Sequence, residues 1–381
     1  MKVTRVETLR ALRYTWVKVH TDEGVYGIGE AHRASGTAGW PKAVYGGIEY
    51  CADYLVGKDP LAIEAHWQHM FRRQLFRGGS DLMSAMSAID QALWDIAGKV
   101  ANLPVHRMLG GPVRNRVKVY VHLTGDSPEA MADDARRRIE QGYKALRFYP
   151  FGNFQNNWPE SYQALVRSAV SYMKAVREAA GPDMDIMIDP VNRLTPPEAI
   201  AIGRALAEYG LYFFEDPIEP DNIEAMAEVA HAMPVPVATG ERLYTIYQFR
   251  ELLNRNGAAY IRPDPSLAGG ISHIKKIAAL AEASYVGVVP HNPLSPVSTA
   301  VCAQLCACIN NVPVQEYTGL ERESPNRDLV KEPLELKDGF LIIPDRPGLG
   351  IELDEQGMKR HPPARYDRPI VTNLDGSLRD Y

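Results

Sequence analysis

The sequence predicts an α/β fold, a (β/α)8-type (TIM-like) barrel with an N-terminal α+β capping domain. Three observations carry this. Eight short β-branched or aromatic runs follow one another from Val117 onward: Val117–Leu123, Ala145–Tyr149, Asp185–Asp189, Tyr212–Asp216, Val235–Glu241, Ala259–Asp264, Val286–His291 and Val314–Glu316. Amphipathic segments such as Pro196–Glu208, Ile223–His231, Ile246–Asn254 and Ile271–Ser284 lie between them. Eight such units in roughly 220 residues fit a closed barrel better than an open sheet. The residues before about 110 have a different pattern and read as a separate small domain.

That first region opens with Thr15–His20 and Val25–Ile28 around the turn Thr21-Asp-Glu-Gly24, a hairpin signature. Residues 31–41 are small, polar and Gly-containing, so they read as a loop. Helical patterns follow at about 42–57, 60–76 and 80–101. In the third, Met83, Met86, Ile89, Leu93 and Ile96 fall on one face. Gly110-Gly-Pro112 punctuates the end. The expected organisation is a capping domain over 1–115, a barrel over 116–335, and a segment over 336–381, rich in Pro, Gly and charge, that packs back on the capping domain.

Composition narrows the function classes. The chain has 381 residues, 45% hydrophobic and 23% charged, with a net charge of −5. These are the proportions of an ordinary globular protein, not of a disordered or collagenous chain. No basic footprint for nucleic acid is present. No apolar run approaches the ~18 residues a bilayer requires. The N-terminus MKVTRVETLR is charged where a signal peptide needs its apolar stretch. Four cysteines give no disulfide framework, and Cys302, Cys306 and Cys308 read as small core residues of a helix. The expectation is a cytoplasmic protein without nucleic-acid or membrane partners.

The chemistry is written at the strand ends. Arg147, Asp189, Glu215, Glu241, Asp264, His291 and Glu316 each close a run, and from Asp189 onward they are spaced 26, 26, 23, 27 and 25 residues apart. One βα unit has about that length, so one ionisable group per strand lines one rim. In barrels the C-terminal rim carries the active site. Carboxylates converging there repel one another unless a cation is present. Asp189, Glu215 and Glu241 on neighbouring strands would satisfy a hard divalent ion such as Mg²⁺, which takes oxygen ligands. A single strand-end carboxylate is commonly only a helix cap; several in step with the repeat point to a site. Gly269-Gly270, where a helix opens after a strand, lacks a full phosphate fingerprint and reads as close packing.

The run Arg77-Gly-Gly-Ser-Asp-Leu-Met-Ser-Ala-Met-Ser-Ala-Ile-Asp-Gln-Ala-Leu-Trp-Asp95, with Ile96-Ala-Gly-Lys99, resembles the capping domain of the enolase superfamily, mandelate racemase subgroup. So do Phe214-Glu-Asp-Pro217, Gly240-Glu-Arg242, Arg262-Pro-Asp-Pro-Ser-Leu-Ala-Gly-Gly270 and His291-Asn-Pro-Leu-Ser-Pro296. Within the subgroup the chain is most similar to galactonate dehydratase-like sequences. The resemblance implies that Asp189, Glu215 and Glu241 bind Mg²⁺, that His291 oriented by Asp264 is the general base, and that Glu316 hydrogen-bonds the substrate carboxylate in the enediolate state. The implied activity is dehydration of a sugar acid to a 2-keto-3-deoxy acid by a homo-oligomer.

Departures from the family pattern keep alternatives open. Galactonate dehydratase-like members carry a His, the acid for the leaving hydroxyl, where this chain has Val191, followed by Asn192. The Lys-x-Lys of racemase relatives is here Arg147 and Tyr149. Arg147 stays protonated and would polarise the substrate. Tyr149 would protonate the leaving oxygen or simply pack at the mouth; His291 could instead return the proton. Candidate substrate contacts are His32 and Trp40 in the capping loop, Arg77, His122 and Asn192. A cycloisomerase or epimerase using the same enediolate, and a non-catalytic sugar-acid-binding protein, are the competing readings.

Overall fold

The computed structural model describes residues 1–32, 41–73, 75–152, 159, 161–364, 372 and 375–378. The N-terminal region is an antiparallel sheet of β1 (Val3–Ala11), β2 (Tyr14–Thr21) and β3 (Tyr26–Glu30), covered by α1 (Pro41–Leu55), α2 (Ile63–Arg72) and α3 (Ser80–Ala101), with a short turn of helix α4 (Val105–Met108) behind it. Met83, Met86, Ile89, Leu93 and Ile96 of α3 are all buried, as the periodicity predicts. The helix approaches β3 so closely that a Cβ at Gly29 would lie 2.0 Å from the Ala88 carbonyl oxygen. Only glycine permits this distance. The exposed edge of β3 is then satisfied by α3 side chains: Ile28 N donates to Asp95 (3.0 Å) and Glu30 N to Gln91 (2.8 Å).

The barrel is built from β4 (Arg116–His122), β5 (Ala145–Phe148), β6 (Asp185–Ile188), β7 (Phe213–Glu215), β8 (Val237–Thr239), β9 (Tyr260–Ile261), β10 (Gly287–Val288) and β11 (Gln315–Tyr317). Neighbours pair in parallel from β4 to β10, and β11 pairs in parallel with β4. Between them run α5 (Pro128–Glu140), α6 (Tyr162–Ala180), α7 (Pro196–Ala205), α8 (Ile223–Ala232), α9 (Ile246–Asn254), α10 (Gly270–Ala283) and α11 (Pro296–Cys308). After β11, among the described residues, 3-10 turns stand where an eighth barrel helix would follow. The chain then returns through β12 (Leu336–Lys337) and β13 (Phe340–Ile342), which lies antiparallel on β4, and α12 (Glu355–Arg360), reaching the first sheet through the bridge Leu12–Pro363. Among the described residues no helix is long and apolar enough to cross a membrane. Cys302 and Cys306 are buried in α11, and Cys51, Cys302, Cys306 and Cys308 are all free thiols.

The two cores meet where α3 lies on α10. Asp90 of α3 accepts from Ser272 N (3.0 Å) and Ser87 Oγ from Gly269 N (2.8 Å). A Cβ at Gly270 would strike the Asp90 carboxylate at 2.4 Å. The diglycine therefore serves interdomain packing: the start of α10 is already taken by an acidic side chain of α3, a favourable partner for a helix N-terminus.

The same contact surface carries a titratable group. His273 of α10, 3% exposed, stacks on Trp67 of α2 with ring centroids 3.4 Å apart. Burial, helped by Lys276, pushes its imidazole down to about 3. In the unfolded chain it titrates near 6.5. Below that pH the unfolded state binds more protons, so the stability His273 contributes is complete above about 6.5 and falls as pH drops toward 3, by up to ~1.4 kcal/mol per unit. The expected result is that the urea midpoint of His273→Phe falls less between pH 7 and 5 than that of the parent. Equal falls would mean that His273 is not the sensor.

Candidate active site

A strand alternates its side chains, so residues two apart face the same way. One layer of the barrel interior is apolar: Tyr120, Ala145, Met187, Phe213, Ala238, Val289 and Val314 form a buried cluster, one residue from each of seven strands or their immediate flanks. Two residues further along six of these strands stand His122, Arg147, Asp189, Glu215, His291 and Glu316. The apolar layer plugs the barrel and the next inward layer is ionisable. On the fifth strand that position is Gly240, with φ +125°, and the acid is displaced by one residue to Glu241. From Tyr260 the same step gives Arg262 and then Asp264.

The layer holds four carboxylates and two guanidinium groups in contact. Arg147 lies against Asp189 and, at 3.3 Å, against Glu215. Arg262, fully buried, bonds Glu215 and Glu316, donates to the Tyr120 hydroxyl (2.7 Å) and lies 3.8 Å from Glu241. Glu316 also accepts from Asn292 N (2.8 Å) and is 2.8 Å from His122 Nε2. On the other side, His291 Nδ1 is 2.8 Å from Asp264 Oδ2, and its Nε2 is 3.1 Å from Glu241. His32, at the end of the first sheet, also places Nδ1 2.8 Å from Asp264 Oδ2.

These contacts set the protonation states. Burial raises Glu215 despite Arg262 and Arg147. Asp216, buried beside Glu241, is pushed up to about 7. Glu316 is held well below the usual carboxylate range, because Arg262, His291 and His122 outweigh its burial. Loss of water and the nearby Arg147 lower His122, keeping it neutral. For His291 burial works the other way, but Glu241, Glu316 and Asp264 outweigh it and push the imidazole up to about 9.

The donor set suits a hard cation. Oxygens of Glu215, Asp216 and Glu241 gather within 4.8 Å of one another. Glu215 Oε2 and Asp216 Oδ2 are buried without a hydrogen-bond partner among the described residues. Buried carboxylate oxygens in that condition are costly unless positive charge meets them. Asp189, drawn to Arg147, stands outside this group, and its Oδ1 accepts from Val191 N (2.6 Å).

The Tyr149 hydroxyl is 3.1 Å from Arg193 Nη1, and the residue lines a cavity of about 450 Å³ with Leu123, Asp126 and Met131 on the outer side of the rim. Val191 and Asn192 are both left-handed, with φ of 57° and 61°. The buried Asn192 lines a cleft of about 850 Å³ beside the mouth, where the starts of α6, α7 and α8 meet. Arg77 turns back on its own loop, donating to the Phe71 carbonyl (2.8 Å). Trp40 lies outside the described residues. Arg262, Asp216 and Tyr120 escaped the sequence reading. The signal for Arg262 was present: it sits two residues before Asp264 and therefore faces the same way. Asp216 had none, since it follows Glu215 and ought to point outward; it is instead buried, accepting from Thr239 and from Gly240 N (3.3 Å).

Comparison with known proteins adds a second line. Residues 2–110 match the mandelate racemase / muconate lactonizing enzyme N-terminal domain, and residues 130–357 the enolase C-terminal domain-like family. The chain is 37% identical over 390 residues to a D-galactonate dehydratase of Variovorax paradoxus (strain S110), and 36% over 389 residues to one of Xanthomonas oryzae pv. oryzae (strain PXO99A), covering 100% of both chains in each case. Among solved structures, an enolase from Agrobacterium radiobacter with bound Na and L-malate superposes with TM-score 0.91 at 32% identity, covering 100% of each chain. A member of the enolase superfamily from Salmonella Typhimurium superposes with TM-score 0.90 at 32% identity, covering 95% of this chain and 98% of that one.

Proposed function

Because the chain belongs to the mandelate racemase / muconate lactonizing enzyme family of the enolase superfamily, we propose that it is a Mg²⁺-dependent dehydratase of a sugar acid, an aldonate or aldarate, giving a 2-keto-3-deoxy acid. The observation that carries this is the inward layer: carboxylates on neighbouring strands on one side, and an imidazole backed by a buried carboxylate on the other. Asp189, Glu215 and Glu241 would hold Mg²⁺, with Arg147 leaving Asp189 for the substrate. When bound, the cation supplies the positive charge against which a substrate carboxylate accepts a second negative charge.

The chain's own residues do the rest. His291 takes the α-proton at Nε2, the nitrogen that faces Glu241. Asp264 fixes the tautomer through Nδ1 and favours the imidazolium that forms. With Glu241 committed as a ligand, the largest of the contributions that raise His291 is withdrawn, leaving the ring free to accept a proton. Glu316, kept charged by Arg262 and flanked by His122, orients the carboxylate end of the substrate through those neighbours. No acid stands at Val191, and Tyr149 is engaged at the outer rim. His291 therefore returns its proton to the departing β-hydroxyl, so that C–H and C–O bonds break and water leaves.

Incubation with a panel of aldonates and aldarates, D-galactonate first, should yield a 2-keto-3-deoxy acid. EDTA should abolish formation and Mg²⁺ restore it. Turnover that survives chelation refutes the metal role. The missing acid at Val191 favours one second reading, epimerisation or cycloisomerisation, and solvent deuterium entering the α-carbon without loss of water would select it. Four free thiols and the absence of a membrane-crossing helix among the described residues support a cytoplasmic setting.

A further inference from the structure

The end of β3 reaches the barrel twice, on either side of the base. Glu30, fully buried, accepts from Ser295 Oγ (2.5 Å), Ser295 N (3.3 Å) and Ser298 N (3.1 Å), at the start of α11 and just beyond His291 in sequence. Two residues after Glu30, His32 N donates to the Ser266 carbonyl (3.1 Å), and His32 Nδ1 meets Asp264 Oδ2. Gln91 of α3 ties the arrangement together. It accepts from Glu30 N and donates to the Pro265 carbonyl (2.8 Å).

The consequence lies in Asp264. Its Oδ2 is shared by two imidazoles, His32 and His291, each with Nδ1 at 2.8 Å, and their ring centroids are 5.5 Å apart. Its Oδ1 accepts from Ser266 N (2.6 Å). His291 makes a hydrogen bond with that oxygen through Nδ1, which leaves its Nε2 unprotonated when the ring is neutral, whereas His32 Nδ1 meets the same oxygen as an ion-pair contact without hydrogen-bond geometry. Held by two hydrogen bonds and the His32 contact, from three loops of two domains, the Asp264 side chain has one orientation, and a reacting group needs its geometry held to about 0.5 Å.

We propose that His32 is a positioning residue: by packing its Nδ1 against the oxygen of Asp264 that orients His291, it makes the presentation of the base depend on docking of the N-terminal domain. The inference rests on the reading of His291 as base, and it assigns His32 a role through Asp264 in place of substrate contact.

Two measurements test it. In ¹⁵N-histidine-labelled protein without substrate, Asp264→Asn should remove the carboxylate-bonded Nδ1–H resonance of His291, assigned through His291→Gln. His32→Ala should shift the His291 resonance while leaving it visible. In turnover, His32→Ala should lower kcat roughly ten-fold with KM within about two-fold. His32→Asn, whose amide can reach the same oxygen, should recover most of the loss. An unmoved His291 resonance, a loss carried by KM, or an Asn variant no better than Ala would each overturn the proposal. A shifted resonance in a protein that converts no sugar acid would sustain the coupling while defeating the dehydratase reading, so the two failures are separable.

Discussion

His291→Asn is expected to lower turnover by roughly 10²–10⁴-fold while leaving metal affinity nearly intact. Asparagine keeps a polar group of similar reach but cannot take a proton near neutral pH. His291 touches Asp264 through one nitrogen and Glu241 through the other, and it is buried, so its removal takes away the imidazole proposed as the base while Asp189 and Glu215 keep their own partners. Exchange of the α-hydrogen in deuterium oxide should cease together with dehydration, because both begin with the same proton. Mg²⁺ titration by calorimetry checks that the metal site survives. A variant that still exchanges the α-hydrogen at the parent rate would place the base elsewhere, and His122 would become the group to examine.

The second large effect concerns stability. Arg262→Leu should destabilise the protein by about 3–5 kcal/mol, the usual cost of breaking a buried ion pair from one side. Arg262 is 0% exposed and bonds Glu215, Glu316 and Tyr120 at once. Leucine would leave Glu316 without its main counter-charge and Glu215 with Arg147 alone, at 3.3 Å. Arg262→Lys should recover only part of the loss, since one ammonium cannot reach both carboxylates in the geometry of a planar fork. Chemical denaturation measures the change. Added Mg²⁺ should return more stability to the variant than to the parent, because a bound cation replaces some of the missing charge. A loss below ~1 kcal/mol would mean that these carboxylates are protonated and need no partner.

Much of this was legible in the sequence for a simple reason. A barrel repeats a strand and a helix, so its strand ends recur at nearly constant spacing, and residues that recur with them share a rim. Asp189, Glu215, Asp264, His291 and Glu316 were readable on that ground alone. The helical face Met83–Ile96 and the diglycine before α10 were readable from periodicity and from the small size of glycine. Asp216 was not. Continued by one residue, β7 would turn it away from the mouth, yet the strand ends at Glu215 and the backbone turns, with φ +36°, bringing the carboxylate under Thr239 and Gly240. The outer-rim position of Tyr149 was hidden in the same way, since the described strand stops at Phe148 and alternation no longer applies beyond it.

The linear order of residues by itself determined the barrel, the capping sheet and helices, and which side chains share the ionisable rim, because hydrophobic period and repeat length are local properties of the chain. Only the tertiary structure decided who pairs with whom across that rim. Arg262 between Glu215 and Glu316, Arg147 on Asp189, and His32 beside His291 on a single oxygen of Asp264 are contacts between residues far apart in sequence. Charge interactions in a desolvated space depend on distances of a few ångströms, and those distances are fixed by strand register and domain docking, which no stretch of sequence contains.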